Sequence, residues 1–350
     1  MHFLDLASAD AARARQQQLT KPPGSLGKLE DLAIWFAARL GSGTPGRLKP
    51  AIVIFAADHG VASEGVSAYP AEVTSQMVLN FLAGGAAINV LAREGQATLA
   101  VVDVGVATDY LQPVIDPGAT TRFFRMPVRA GTGNLRREAA MSRDECRKAW
   151  HIGAAAARQG QERGKNLLIG GEMGIANTTA AAALICALTG ADPAEIVGLG
   201  TGIDAVAREH KVSVVRDALA RAREAGAQNP MDWLAEVGGL EIAALAGFYS
   251  EAAALGVPVL LDGFISTAAA LVAVRHDSSV GDWLLASHAS QELGHRHCLS
   301  ELGLSPLLDF NLRLGEASGA ALVLPLLQTA LALHRDMATF AEAGVAGPAA

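Results

Sequence analysis

Short apolar runs that end in glycine and an acidic residue constrain the fold of this chain more than any other feature. Four of them are apolar over consecutive residues rather than at alternate positions: "AIVIFAADHG" (51–60), "ATLAVVDVGV" (97–106), "NLLIGGEMG" (166–174) and "VPVLLDGF" (257–264). Continuous runs of this kind are typical of strands buried on both faces of a parallel sheet. "EIVGLGTGID" (195–204) is a weaker fifth candidate.

Alanine-rich segments of helical length lie between these runs, for example "TTAAAALICALTG" (178–190) and "STAAALVAVRHD" (266–277). The 350 residues include 37 glycines and only 5% aromatics, which suits close packing of helices on a sheet. Strands that alternate with helices predict βαβ units. We therefore expect an α/β fold around a parallel sheet.

The two ends of the chain differ from the middle. Residues 1–40 predict a helix, the loop "LTKPPGSLGKLE" and a second helix from about Lys28 to Leu40. The segment from about 319 to 343 also has a helical pattern, and the Gly- and Pro-rich stretch 41–50 leads into the first strand. We predict that the terminal helices pack together as a small subdomain.

Composition and charge exclude several classes of protein. The net charge of −7, with scattered basic residues, gives no general attraction to nucleic acid or anionic membranes. The three cysteines, at 146, 186 and 298, form no C-x-x-C pair, which argues against a disulfide framework or a structural zinc site. The N-terminus lacks the apolar region of a signal peptide. The uncharged stretch 317–333 contains Pro325 and predicts a buried helix rather than a membrane span, so we expect a soluble cytoplasmic protein.

Acidic residues fall at the carboxyl ends of the four stronger predicted strands, at Asp58, Asp103, Glu172 and Asp262. Open α/β sheets bind ligands along that edge. An acid beside glycine after a strand often only shapes a turn, and we expect about half of these four to do so. The pattern predicts where the site lies, without indicating its chemistry.

The segment "GGEMGIANTTAAAAL" (170–184) is the clearest candidate for an anion site. Glycines follow a strand, and Asn177, Thr178 and Thr179 precede an alanine-rich helix whose N–H groups and dipole suit a phosphate. An ordinary capped helix explains this stretch equally well. A second glycine-rich turn, "GLGTGID" (198–204), precedes Lys211, which would supply a positive charge if it folded back on the first loop and would otherwise be a surface lysine.

Two kinds of metal site are disfavoured. No predicted strand ends in paired acids, so a magnesium–pyrophosphate site is not indicated. His288, His295 and His297 cluster beside Cys298 but match no metal-binding motif, and hydrogen-bonded or surface histidines are the favoured interpretation.

In "RLGEASGAAL" Glu316 lies among small and apolar residues, with only Arg313 nearby as a counter-charge. A carboxyl group in such surroundings is either a core acid that accepts backbone N–H groups or a general base with a raised pKa. The residues alone leave both interpretations open.

Taken together, several motifs resemble a known family. "TKPPGSLGKLEDLA", "ADHGV", "GGEMGIANTTAAAAL", "LLDGF" and "RLGEASGAAL" occur in order between about Leu19 and Met337. Their combination is similar to the nicotinate-nucleotide–dimethylbenzimidazole phosphoribosyltransferases of the cobalamin nucleotide-loop pathway. The resemblance implies a Rossmann-like doubly wound sheet in a large catalytic domain (46–318) and a small helical domain built from 1–45 and 319–350. It also implies a homodimer in which the neighbouring small domain closes the site.

The same resemblance implies the reaction. Nicotinate mononucleotide and 5,6-dimethylbenzimidazole would give α-ribazole 5′-phosphate and nicotinate, with inversion at the anomeric carbon and without a metal or cofactor. Two alternatives stay open: an N-glycosyl hydrolase that uses the same pocket, and a non-catalytic nucleotide-binding sensor.

Residue roles also follow from the resemblance. Glu316 matches the catalytic carboxylate, and Glu172 matches an acid near the ribose. Asp262 and Gly263 match a turn near the nicotinate. The phosphate-binding set comprises Gly174, Asn177, Thr178 and Thr179, with Lys211 as their charged partner.

Residues 66–81 match the region that lines the base pocket, with Tyr69, Met77 and Phe81 as apolar walls suited to a flat methylated ring. Met77 and Phe81 are four residues apart, so they also fit the buried face of a helix. Ala176 stands where some relatives have glycine. The choice between dimethylbenzimidazole, another benzimidazole, adenine or a phenol stays open.

Overall fold

A parallel sheet forms the centre of the computed structural model, which describes residues 2–108 and 121–346. Within those residues the sheet has six strands in the order β3-β2-β1-β4-β5-β6. Because the order reverses between β1 and β4, the sheet is doubly wound, and the predicted fold class is confirmed. The strands are β1 Pro50–Ala57, β2 Thr98–Gly105, β3 Arg122–Arg125, β4 Leu167–Met173, β5 Val259–Leu261 and β6 Leu284–Ala286.

One face of the sheet is covered by helices from both ends of the chain and from the β1–β2 connection. Alternate residues of β1 point to opposite faces, so Ile52 and Ile54 pack here while Val53 and Phe55 pack on the other side. Phe36 and Leu324 bring the terminal helices into the same apolar cluster. The helices on this face are α2 Lys28–Leu40, α3 Val73–Ala83, α4 Ala87–Glu94 and α13 Ser318–Asp336.

The opposite face carries a larger helical layer. Two glycines allow α5 and α10 to cross closely: a side-chain carbon at Gly153 would lie 1.7 Å from the Ala244 carbonyl oxygen, and one at Gly247 would lie 2.1 Å from that of Trp150. The abundant small residues therefore permit close helix contact. The layer contains α5 Arg143–Glu162, α6 Asn177–Thr189, α7 Pro193–Ile196, α8 Ala205–Glu224, α9 Pro230–Val237, α10 Leu240–Ala254 and α11 Phe264–His276.

The remaining elements form a second, small sheet and join the chain ends. A two-stranded parallel sheet, β7 His288–Ser290 and β8 Leu308–Leu312, follows β6, and α12 His295–Glu301 connects its strands. The first helix, α1 Leu6–Gln18, and the last, α14 Phe340–Ala343, complete the chain.

The two termini are held together directly. Arg15 donates hydrogen bonds to the carbonyl oxygens of His334, Arg335 and Met337, and Leu19 bridges Thr339. The separate small domain of 1–45 and 319–350, whose first residue and last four residues lie outside the described ranges, stays a prediction.

The fifth predicted strand is wrong. Residues 195–204 contain the end of α7 and a glycine-rich turn instead. Asp192 caps α7 by accepting a hydrogen bond from the N–H of Ala194, and Pro193 occupies the first helical position, which favours a helix start. The four stronger strands are present, and the buried helix predicted at 317–333 is confirmed in α13.

The segment Val73–Glu94 has the length and composition of a membrane-spanning helix. In the structure it is divided into α3 and α4, and both helices pack on the apolar face of the sheet. These contacts fit the core of a folded domain.

Candidate active site

A cavity of about 650 Å³ opens over the carboxyl ends of β4 and β5. It lies beside the point where the strand order reverses, as open α/β sheets predict. Its walls come from α3 after β1, the start of α6 after β4, the turn at 200–201, the start of α11 after β5, and the residues around β7 and β8 up to α13. Of the residues predicted from sequence, those that line it are Tyr69, Met77, Glu172, Gly174, Asn177, Thr178, Gly263 and Glu316.

Glu316 lies on a tight turn between β8 and α13. Gly315, Glu316 and Ala317 all have left-handed backbone conformations, with φ of 85°, 62° and 66°. Such angles are unfavourable for residues other than glycine and occur preferentially at functional sites. The turn rests directly on β4, because a side-chain carbon at Gly171 would lie 2.9 Å from the Ala317 nitrogen.

Asp262 fixes this turn from beneath. Its two carboxylate oxygens accept hydrogen bonds from the N–H groups of Ala317 and Ala320, at 3.1 and 3.0 Å, and so cap α13. Asp262 is buried and does not line the cavity, whereas the neighbouring Gly263 does. The structure therefore places Asp262 behind Glu316 rather than at the ligand surface.

Burial raises the pKa of Glu316 to about 7, and the nearby charge of Asp262 acts in the same direction. The residue is only 6% exposed. A carboxylate of this kind can accept a proton near neutral pH, which an ordinary surface glutamate does poorly.

Glu172 places a second carboxyl group in the cavity, at the end of β4. It accepts a hydrogen bond from the Asn177 side chain, and the N–H of Glu316 lies 3.4 Å from its other oxygen. Burial raises the pKa of Glu172 to about 8, and the charges of Asp262 and Glu241 act in the same direction. The site thus holds two carboxyl groups that titrate near neutrality.

The predicted anion site is assembled around the first turn of α6. Lys211 extends from α8 and donates a 2.7 Å hydrogen bond from Nζ to the Thr178 hydroxyl, with only 1% of the residue exposed. The backbone of Gly200 packs against both groups, since a side-chain carbon there would lie 3.0 Å from Nζ. Lys211 therefore folds back on the α6 loop. Thr179 points into the core and does not line the cavity, because successive helical residues face different directions.

The apolar wall of the cavity comes from α3. Val73 and Met77 line it, and Tyr69, which is 54% exposed, stands at its mouth. Phe81 does not reach the cavity: one turn further along α3, it is fully buried in the apolar cluster between this helix and the sheet. For Phe81 the helix-face interpretation agrees with the structure.

Sequence reasoning missed the wall formed around β7 and β8. His288, Ser290 and Glu292 line the cavity there, together with residues 311–315. Arg313 also donates a hydrogen bond to the Gly200 carbonyl oxygen, at 3.2 Å, and so links this wall to the anion site. The cluster of histidines at 288–297 was the sequence feature that could have indicated this wall. Nothing in the sequence around Glu292 indicates that it lines a cavity.

Within that cluster His295 has a hydrogen-bonding role, whereas Nε2 of His297 is buried without a partner among the described residues. The N–H of Ser290 donates to Nδ1 of His295, and Nε2 of His295 lies 3.0 Å from the Thr267 hydroxyl. Burial lowers the pKa of His295 to about 3, so this ring is neutral. Across residues 2–108 and 121–346, no group of three or more His, Cys, Asp or Glu side chains could hold a metal ion.

The acids that follow the other strands shape turns. Asp103 accepts hydrogen bonds from the N–H groups of Gly105 and Val106, and Asp58 accepts one from Ala107. Among the four strand-end acids, Glu172 alone lines the cavity.

The chain forms a Rossmann-like sheet, and a buried carboxylate and the predicted anion site share one cavity at its edge. Over residues 1–345 it matches a family model described as phosphoribosyltransferase, and it belongs to that class. More narrowly, the chain belongs to the nicotinate-nucleotide–dimethylbenzimidazole phosphoribosyltransferase family, and the resemblance seen in the sequence is confirmed.

Individual relatives support this assignment. A protein of that name from Chromobacterium violaceum is 56% identical over 99% of this chain and 98% of its own length. One from Pseudomonas putida is 52% identical over 98% of this chain and 95% of its own. The crystal structure of CobT from Thermus thermophilus superposes with a TM-score of 0.91, at 47% identity, over 97% of this chain and 99% of that one.

Proposed function

We propose that the protein transfers the phosphoribosyl group of nicotinate mononucleotide to 5,6-dimethylbenzimidazole, in assembly of the cobalamin nucleotide loop. The observation that carries this proposal is the placement of Glu316, with its pKa near 7, in the same cavity as the Thr178–Lys211 anion site. The names of the relatives specify the two substrates.

The nucleotide phosphate would bind at the first turn of α6. The helix dipole and N–H groups favour an anion there, and Lys211 adds a positive charge shielded from water. Glu172 lies beside this site and would hold the ribose hydroxyls. Gly263 would leave room for the nicotinate ring at the end of β5.

Glu316 would act as the general base. Benzimidazole attacks through one ring nitrogen and must lose the proton on the other, which the Glu316 carboxylate accepts. A new bond forms between the attacking nitrogen and C1′ while the bond from C1′ to the nicotinate nitrogen breaks. The positively charged pyridine ring keeps that electron pair and becomes neutral, so its departure requires no acid. Attack on the face opposite the leaving ring inverts C1′.

The apolar residues of α3 would receive the incoming base. Val73 and Met77 offer dispersion contacts to a flat methylated ring, and Tyr69 can close over it. These contacts favour an aromatic acceptor over water and so argue against the hydrolase alternative.

We further propose a cytoplasmic homodimer. Apolar side chains are exposed at and near the mouth of the cavity: Tyr69 by 54%, Phe310 by 60% and Leu314 by 58%. Exposed apolar groups around an active site suit coverage by a second subunit. The terminal helices of the partner would supply that cover.

The decisive experiment incubates the protein with nicotinate mononucleotide and dimethylbenzimidazole and quantifies nicotinate and α-ribazole phosphate by chromatography. We expect both products in equal amounts, without added metal. Nicotinate released at the same rate without the base would indicate a hydrolase, and nucleotide binding without any turnover would indicate a sensor.

A further inference from the structure

Glu292 puts a carboxyl group into the wall of the cavity that faces the anion site, where a negative charge is unexpected. It follows β7, lines the cavity and is only 7% exposed. Among the described residues, its Oε2 has no hydrogen-bond partner. The oxygen lies against the Gly198 backbone, because a side-chain carbon at Gly198 would lie 2.2 Å from it.

Positive charges surround this carboxyl group. Lys211 and Arg313 both attract its negative charge, and the N–H of Gly200 faces it. Burial nevertheless raises the pKa of Glu292, while burial lowers the pKa of Lys211 to about 8. Without ligand, Glu292 therefore compensates a lysine that is largely removed from water.

The other acids and histidines near the cavity add no further positive charge opposite Glu292. Glu172 and Glu316 are acids, and His288 is held by the Ser287 hydroxyl through Nδ1. His295, behind Ser290, is neutral. Lys211 and Arg313 are thus the cations that face Glu292.

A bound phosphate would change this balance. A phosphate monoester carries close to two negative charges and would share Lys211 with Glu292. Two anions in a buried site repel strongly unless one of them takes up a proton. Once protonated, the Glu292 carboxyl group carries an O–H donor, and the repulsion would become a hydrogen bond.

We propose that Glu292 takes up a proton when a nucleoside 5′-monophosphate enters the cavity and then donates a hydrogen bond to the phosphate. This inference rests on the proposed function, because it places the phosphate at the α6 loop. Glu292 is then a binding residue that couples affinity for the nucleotide to pH. Where one full proton is taken up, the affinity falls by up to about tenfold for each unit by which the pH rises. The same coupling applies to the phosphorylated product.

The test is isothermal titration calorimetry of nicotinate mononucleotide at pH 8, in two buffers with different heats of ionisation, which counts the protons bound with the ligand. At this pH the free phosphate is already fully ionised. On binding the nucleotide, the wild-type protein should take up as much as one proton more than the Glu292→Gln variant does. The variant should bind the nucleotide more tightly than wild type at pH 8, with a weaker dependence on pH. Nicotinate riboside, which lacks the phosphate, should cause no uptake by Glu292.

Glu316→Gln is the matched control, because it removes the other titrating acid of the cavity and should keep the uptake due to Glu292. Equal proton uptake by wild type and a folded Glu292→Gln would overturn the inference while leaving the proposed function intact. If that variant does not fold, equal proton uptake by the wild-type protein for nucleotide and riboside again overturns it. Failure of the folded wild-type protein to bind the nucleotide would instead refute the proposed function, and this inference with it.

Discussion

At the scale of single residues, the site depends on carboxyl groups whose surroundings set their protonation. Glu316 and Glu172 are glutamates in one cavity, and burial moves both pKa values toward neutrality. The difference between them lies in their contacts. Glu172 is engaged by Asn177 and by the Glu316 N–H, whereas no contact of this kind restrains the Glu316 carboxylate in the described structure. The proposed base is the less restrained of the two.

Replacing Glu316 with glutamine tests its role. We expect Glu316→Gln to lower kcat by about 10²- to 10⁴-fold, the usual contribution of a general base, with nucleotide affinity nearly unchanged. In the wild type, kcat/KM should rise with pH through about 7 as Glu316 loses its proton, and the variant should lack that rise. Steady-state kinetics from about pH 5.5 to 8.5 measures both; a variant that keeps the wild-type profile would contradict the assignment.

At this scale the residues alone left both Glu316 and Lys211 open, as a core acid or a base and as an anion partner or a surface lysine; the family resemblance assigned them to the site. Glu316 and Thr178 line the cavity, and Lys211 donates a hydrogen bond to Thr178. Thr179 and Phe81 could not be oriented beforehand, because one position or one turn of a helix separates cavity from core. Glu292 carried no signal, since its significance depends on Lys211, which is distant in sequence.

At the scale of elements, continuous apolar runs predicted strands well, including the three-residue β5 within "VPVLLDGF", whereas short strands outside such runs were missed. The strands β1, β2 and β4 have seven or eight residues each and were readily found. The strands β6 and β7 have three residues each, too few for a periodic pattern, and were not predicted. The run at 195–204 looked like a strand, but the N-cap and proline before it started a helix.

Helix α3 offers a test that separates a ligand-contacting residue from a core residue. Met77→Ala should raise KM for dimethylbenzimidazole several-fold with little effect on stability, because Met77 lines the cavity and is partly exposed. Phe81→Ala should lower the free energy of unfolding by about 3–5 kcal/mol, the usual cost of a large buried cavity, and leave KM for both substrates nearly unchanged. Kinetics and chemical denaturation of the pair measure the contrast, and a KM effect confined to Phe81→Ala would reverse the roles.

At the scale of the whole molecule, the buried acids of the cavity make stability depend on pH. The pKa of Glu316 is raised from an unfolded value of 4.5 to about 7. The folded state therefore binds the proton more tightly, and stability is lost as pH rises between these two values. Glu30 behaves oppositely: Lys21 and the N–H groups of Leu26 and Gly24 lower its pKa despite burial, so its stabilising effect is lost as pH falls below about 4.5.

Glu316→Gln should consequently stabilise the protein at pH 8 and have little effect near pH 4.5. A pKa shift of this size corresponds to a change of about 3 kcal/mol at most in the free energy of unfolding. Thermal and chemical unfolding at the two pH values measure the difference. Glu30→Gln is the control of opposite sign and should destabilise the protein at pH 8, because it breaks the buried pair with Lys21. A stabilisation by Glu316→Gln that did not grow with pH would contradict the raised pKa.

The acceptor side of the cavity and its catalytic side are built from different elements, and this affects how acceptor specificity can change. The groups proposed for chemistry and phosphate binding lie on β4, α6, α8 and the turn before α13, whereas Val73 and Met77 belong to a helix that follows β1. Substitutions on α3 can therefore reshape the acceptor pocket without displacing Glu316, whose turn Asp262 and Gly171 hold separately. A lineage that adopts a different aromatic base needs to explore only a few positions on one helix while its catalytic apparatus stays constant. Libraries randomised at 69, 73 and 77 are the corresponding route to laboratory variants that make other nucleotides.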